Sequence, residues 1–302
     1  MAITVLTAQS LDEADWQTAA GGKRAFEVAA VKPTRMPRFP PTLFPLDNGN
    51  AKTAGGRFSA TFPLRAYVFF AYKLSANELS PAALAKLPKW VSTDIYDIEG
   101  RAEGNPTKDQ MRLMMQSLLA DRFKLAVHFE TREGPVFALT LVKPGKTGPK
   151  LRPHAQGPPC PDSYTIPAFT MPAPGPPPGA PPSSNVFPPN CDTVQMRGNG
   201  VVALVGSRNA TMSSLAEVIY LEGFRAGEVD RPVVNRTGLS GTFDFILDTT
   251  PISLPGGNAS PPDQQGASFL TTVREQLGLK LESSKGPIRT LIIDHVERPS
   301  EN

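Results

Sequence analysis

The feature that most constrains this chain is a recurrence. Residues Thr107 to Val142 run helix, strand, Gly-Pro, strand, and the same order returns from Ser268 to Val296. In the first copy, Thr107 and Gln110 form a capping-box pattern, which satisfies free N–H groups at a helix start. Met111, Met114, Met115 and Leu118 then recur at steps of three and four, the apolar stripe of an amphipathic helix. Leu125, Val127 and Phe129 alternate with polar or small residues, as a half-buried strand does. Gly134-Pro135 reads as a corner from which Val136 to Val142 returns.

In the second copy, Phe269, Val273 and Leu277 match Met115, Leu119 and Phe123. Leu279 and Leu281 open the strand, and Gly286-Pro287 takes the place of Gly134-Pro135. Upstream, Tyr96-Asp97-Ile98 has its counterpart in Phe243-Asp244-Phe245. Two copies are too few for a solenoid, so the self-similarity predicts a duplicated domain. Each half reads strand, helix, strand, helix, strand, strand. Short helices laid on one face of a small sheet make an α+β fold.

The expected layout is a disordered leader or signal remnant over 1–24 and a first repeat domain over 25–152. A Pro-rich linker follows over 153–193, and a second repeat domain over 194–302. Within the first repeat, Phe26 to Lys32 is a strand ended by Pro33, and Pro63 sits at the first helical position. Within the second, Ser214 and Glu217 form another capping box. Strands at 232–237 and 242–248 flank a Gly238/Gly241 turn. Pro153 to Pro189 holds 14 prolines, a density that favours extended backbone over packed core. It is bracketed by Cys160 and Cys191, the only two cysteines. A pair flanking such a segment predicts a disulfide, and with it an oxidising, extracytoplasmic location, periplasmic or secreted.

Composition excludes several classes. A net charge of +3 over 302 residues gives no reason to expect nucleic acid. No apolar run reaches the ~18 residues of a membrane helix. Gly145-Lys146-Thr147 ends like a phosphate-binding loop, but Thr140 stands where that loop needs glycine. Gly238-Leu239-Ser240-Gly241 is one residue short of a nucleophile elbow. The cysteines are too distant in sequence for a compact zinc knuckle. No catalytic set, cofactor-binding set or metal-ligand set emerges.

The weak binding candidates are Trp90, His128, Asp294 and His295. His128 reads as a solvated strand histidine, and His154 as part of the flexible linker. Asp294 and His295 are neighbours in a strand and point to opposite faces, so they pair only with residues elsewhere. Asp97 and Asp244, at matching places in the two copies, read as structural.

Phe26-Glu-Val-Ala-Ala-Val-Lys-Pro, Gly56-Arg-Phe-Ser-Ala and Tyr96-Asp-Ile-Glu resemble the start of a soil-associated uncharacterised family expanded in acidobacteria. Pro106-Thr-Lys-Asp-Gln-Met-Arg-Leu-Met-Met-Gln-Ser-Leu-Leu-Ala-Asp-Arg-Phe-Lys-Leu resembles its most specific segment. Arg231-Pro-Val-Val-Asn-Arg-Thr-Gly-Leu-Ser-Gly-Thr-Phe-Asp-Phe and Ile292-Ile-Asp-His-Val-Glu-Arg-Pro match its C-terminal half. Thr61-Phe62-Pro63 is one residue shorter than that family's pattern, and the Pro-rich insert is longer. The resemblance implies an exported protein, sometimes encoded with a membrane-bound sensor-type metallopeptidase, and supplies no functional residues. More distantly, each half is similar to the short N-terminal domain of secretins and TonB-dependent receptors, which binds protein partners.

The expected function is a non-enzymatic, extracytoplasmic interaction module that engages a protein partner, through sheet edges next to the Gly-Pro pairs or through the Pro-rich insert. The alternative is a small-molecule or glycan-binding protein with its site between the repeats. An unrecognised hydrolase stands behind both.

Overall fold

The computed structural model describes residues 12–36, 44, 46, 55–78, 84, 86–157, 160, 191–192, 194–198, 203–249 and 268–299. Most of the Pro-rich insert and the Pro/Gly-rich segment before Ser268 lie outside them. The chain is α+β.

Its first hydrophobic core lies under a three-stranded antiparallel sheet of β1 (Val28–Thr34), β3 (Ile95–Arg101) and β2 (Arg57–Pro63), in that order. Helices α2 (Leu64–Ala71) and α4 (Lys108–Arg122) cover it. The short α1 (Asp12–Ala19) and α3 (Trp90–Thr93) lie beside them. Residues Asp12–Ala19, expected in a disordered leader, are therefore helical. The Arg24 side chain closes that helix end by donating to Ala20 O at 3.2 Å.

The capping box of α4 forms as its sequence requires. Thr107 Oγ1 accepts from Gln110 N at 3.2 Å, and Gln110 Oε1 accepts from Thr107 N at 3.0 Å. The stripe then buries Met111, Met115, Leu118 and Leu119 against Leu64, Val68 and Ile98. Tyr67, fully buried, ties helix to sheet through its hydroxyl. That oxygen lies 2.6 Å from Ala60 O and 2.8 Å from Tyr96 O, and accepts from Phe62 N at 3.2 Å. A buried hydroxyl with several backbone partners meets the requirement that interior polar groups be satisfied.

The second core lies under the sheet β5 (Leu151–Pro153), β9 (Thr242–Thr249), β7 (Ala203–Thr211) and β6 (Gln195–Gly198). It is covered by α5 (Met212–Arg225) and by α6, which starts as Phe269–Thr272 and ends in a π-helical turn, Val273–Leu277. The cap of α5 lies three residues earlier than the sequence suggests. Thr211 is the N-cap and accepts from Ser214 N. Glu217, expected to fold back on Ser214, instead accepts from Ala76 N at 2.8 Å, across from the other core.

The largest departure from expectation concerns the Gly-Pro pairs. They are not corners. β4 (Ala126–Leu141) and β10 (Leu279–His295) each run unbroken through them and pair antiparallel along their length, from Leu279 with Leu141 to His295 with Ala126. Gly134 faces Gly286, while Pro135 and Pro287 face Lys285 and Glu133.

Hydrogen-bond parity explains how prolines survive mid-strand. In an antiparallel ladder, alternate residues turn their N–H to the partner or away. Phe137 N points away from β10, bonding Pro232 O at 2.8 Å, and Pro135 shares its parity. Leu291 N points away from β4, bonding Glu78 O at 2.7 Å, and Pro287 shares that parity. Each proline thus lacks an N–H only on the outer edge, where no ladder bond is lost.

The ribbon joins the two cores. Its Leu291 is buried in the first and its Leu139 in the second, both at 0% exposure. Burial of each contributes about 1.5–3 kcal/mol. The short β8 (Val233–Asn235) lies parallel to β4 over Phe137 to Leu139. It does not pair with β9, so the strands around Gly238 and Gly241 belong to different sheets. Pro33 likewise lies within β1, opposite Tyr96, rather than ending it.

Candidate functional site

Of the four residues singled out from sequence, His128 and Asp294 meet at the first-core end of the ribbon. Asp294 is the extra residue of a bulge between Ile293 and His295. A bulge re-aims side chains, and here Asp294 Oδ2 lies 2.8 Å from His128 Nδ1 on the neighbouring strand. Glu130 flanks the same ring, with Oε1 3.5 Å from His128 Nε2, and is itself paired with Arg132. The hydrogen bond to Asp294, then that to Glu130, raises the His128 pKa above its ordinary value. Arg132, then His128, holds the Glu130 carboxyl below its own. His295 turns the other way, and its Nε2 lies 2.8 Å from Glu297.

Trp90 sits at the rim of the first core, half-buried. Its ring meets Tyr96 edge-on at 6.5 Å, and the Arg298 guanidinium lies 5.4 Å from its centroid. Arg298 in turn pairs with Asp94 at 2.9 Å. The four candidates thus fall in three separate groups, His128 with Asp294, His295 with Glu297, and Trp90 with Tyr96 and Arg298. His128 and Asp294 remain 48% and 46% exposed, so water competes for every bond they make. Chemically this is a surface whose positive charge depends on pH.

Beside this surface runs the outer edge of β4. By the parity that admits Pro135, the N–H groups of Val127, Phe129, Thr131 and Glu133 also point away from β10. Among the described residues no strand pairs with that edge before Phe137. The side chains of Val127 and Phe129 reach the first core, and the Arg289 guanidinium stacks 3.6 Å from the Phe129 ring centroid. The edge is therefore anchored by its side chains while its N–H groups face away from β10.

A second constellation lies at the far end of the other sheet, around a histidine that the sequence alone places in a flexible linker. His154 is instead held in a tight 3-10 turn, closed by Gly157 N donating to His154 O at 2.8 Å. Its Nδ1 lies 2.6 Å from Asp244 Oδ1, and both side chains are largely buried. Asp244 also accepts from Asn209 N at 3.1 Å, where β7 bulges and Asn209 adopts φ +60°. A Cβ on Gly157 would run into Asp244 Oδ2. Cys160 and Cys191 are joined in a disulfide with Cα atoms 5.9 Å apart, and Cys160 Sγ lies 3.3 Å from His154 Nε2. Asp97, which recurs with Asp244 in the sequence, accepts from Thr61 Oγ1 at 3.1 Å. The sequence signal that singles out Asp244 is the recurrence of Tyr96-Asp97-Ile98 as Phe243-Asp244-Phe245. Nothing local announced His154.

Residues 65–296 match a protein family described as a protein of unknown function, DUF3738. The chain belongs to the DUF3738 family. The matched span contains the ribbon, both constellations and the disulfide. No curated protein and no solved structure matches the chain. Among the described residues, no helix is long and apolar enough to cross a membrane, which says nothing of strands.

Proposed function

We propose that this DUF3738 chain is an extracytoplasmic, non-enzymatic interaction module that accepts an extended segment of a protein partner along the outer edge of β4. The observation that carries this reading is the row of outward-facing backbone groups from Val127 to Glu133, with no strand paired to it among the described residues. An added strand gains its affinity from main-chain hydrogen bonds and its specificity from alternate side chains. The charged cluster of His128, Glu130, Arg132 and Asp294 beside the edge supplies such discrimination. A rigid ribbon anchored in a core at each end limits the ordering cost of binding on this side of the interface.

Three further observations support the reading. The Cys160–Cys191 disulfide suits an oxidising compartment. The facing of Gly134 and Gly286 is what a duplicated unit would give at its own two-fold axis. The resemblance to secretin and TonB-receptor N-terminal domains, and to exported soil-associated acidobacterial proteins, points the same way.

The test is capture from extracytoplasmic extract with the full chain, with a version lacking residues 161–190, and with Thr131→Pro. The last removes an outward donor while sparing the bonds to β10. The reading predicts a defined protein partner retained by the deletion and lost with Thr131→Pro. Equal capture by Thr131→Pro, or no capture at all, contradicts it. Loss on deletion would move recognition to the Pro-rich insert.

A further inference from the structure

The corner around His154 has the parts of a ligand set for a soft metal ion, blocked by one covalent bond. Donation from His154 Nδ1–H to Asp244 Oδ1, at 2.6 Å, leaves the Nε2 lone pair of the neutral ring facing Cys160 Sγ at 3.3 Å. The three atoms His154 Nε2, Cys160 Sγ and Cys191 Sγ lie within 4.8 Å of one another. A carboxylate behind an imidazole is the arrangement that orients metal-bound histidines and raises their basicity. Sulfur and imidazole nitrogen are donors preferred by zinc and copper(I), and oxygen-seeking ions such as magnesium are disfavoured.

We propose that reduction of the Cys160–Cys191 bridge converts this corner into a binding site for a zinc-like cation, with His154 Nε2 and the two cysteine sulfurs as ligands. A two-electron reductant of the dithiol class breaks the S–S bond. It supplies two electrons and two protons, leaving two thiols and an oxidised, disulfide form of the reductant. The cation then binds both sulfurs as thiolates, and the two thiol protons leave to solvent.

The frame that positions His154 and Cys191 does not depend on the bridge. Cys191 forms a backbone bridge with Arg208, and Asp192 N donates to Arg208 O at 2.9 Å. Asn209 Nδ2 donates to Asp192 Oδ1 at 2.7 Å. On the other side, β5 pairs with β9 from Leu151 to Pro153, immediately before His154. Arg152 lies 3.5 Å from Asp244 Oδ2, so the carboxylate remains shared between a guanidinium and the ring. Cysteine spacing along the chain gives no hint of this, because the third ligand lies upstream of both cysteines and the fourth partner arrives on β9.

The test uses the full chain, reduced anaerobically with a phosphine that is then removed, and titrated with cobalt(II) as a spectroscopic stand-in for zinc. A thiolate-to-cobalt charge-transfer band saturating at one ion per chain, displaced by zinc and absent from the oxidised protein, is the expected result. Asp244→Asn is expected to weaken binding about 10–100-fold, and His154→Ala at least as much. Unchanged cobalt affinity in reduced His154→Ala overturns the proposal. So does a band that never saturates, or loss of the far-UV circular dichroism of the oxidised chain on reduction. None of these readouts involves a protein partner, so the outcome is independent of the β4 edge.

Discussion

Two carboxylate–imidazole pairs, His128–Asp294 and His154–Asp244, are each closed through the ring Nδ1 at similar distances, and their surroundings give them different work. His128 and Asp294 meet on the open ribbon, about half exposed. His154 and Asp244 meet inside a corner closed by a turn, a bulge and a disulfide. Charges in water interact weakly and are screened by salt, whereas a largely buried pair must be satisfied in full. The first pair therefore modulates a surface, and the second organises local structure. Hydrogen-bond length alone does not distinguish them, since one is 2.8 Å and the other 2.6 Å. Burial does.

Breaking the buried pair should have the largest effect. Asp244→Ala strands the His154 ring and removes the acceptor for Asn209 N in the β7 bulge. Its expected cost is about 3–5 kcal/mol of folding stability, measured by urea denaturation. A cost below about 1 kcal/mol would place Asp244 with the surface pair.

Glu217 tests the comparison from the side of a carboxylate with no imidazole. Burial pushes its pKa up to about 7, the nearby Glu78 charge adds to this, and the bond from Ala76 N opposes it. A carboxyl that holds its proton more tightly when folded contributes stability that is full below its ordinary value of 4.5 and is lost as pH rises through about 7. The slope across that window is at most about 1.4 kcal/mol per pH unit. Glu217→Gln is expected to flatten it, and an unchanged slope would assign the pH dependence elsewhere.

The smallest effect on stability belongs to the exposed pair. Asp294→Asn should leave the unfolding midpoint unmoved while returning the His128 titration, followed by NMR, toward its ordinary value. The direction follows from the bond it removes. Asp294 stabilises the charged ring, a contribution present below the ordinary histidine pKa and lost as pH rises through the raised one. A drop in stability like that of Asp244→Ala would erase the distinction between the pairs.

Much of this fold was legible in the sequence, and the rest was hidden for definite reasons. The Thr107–Gln110 cap, the α4 stripe and the Cys160–Cys191 bridge depend on residues close in sequence or on a pair with no alternatives. Gly134-Pro135 misled because proline's tolerance depends on which way its missing N–H would point, and that requires knowing the partner strand. The cap of α5 slipped by three residues because both Thr211 and Ser214 are good N-caps, and Glu217 had a better use against Ala76. His128 and Asp294 meet only because a bulge places Asp294 over the neighbouring strand. His154 reads as linker because proline-rich sequence follows it, while its partner Asp244 lies on β9 and is held there by Asn209 of β7.

The unbroken ribbon with an open β4 edge is tested most directly by amide hydrogen exchange along residues 126–134. His128, Glu130, Arg132 and Gly134 should exchange slowly, because their N–H groups face β10. Val127, Phe129, Thr131 and Glu133 should exchange fast. Protection that collapses from Arg132 onward would restore the Gly-Pro corner, and uniform protection at every residue would show the edge already covered.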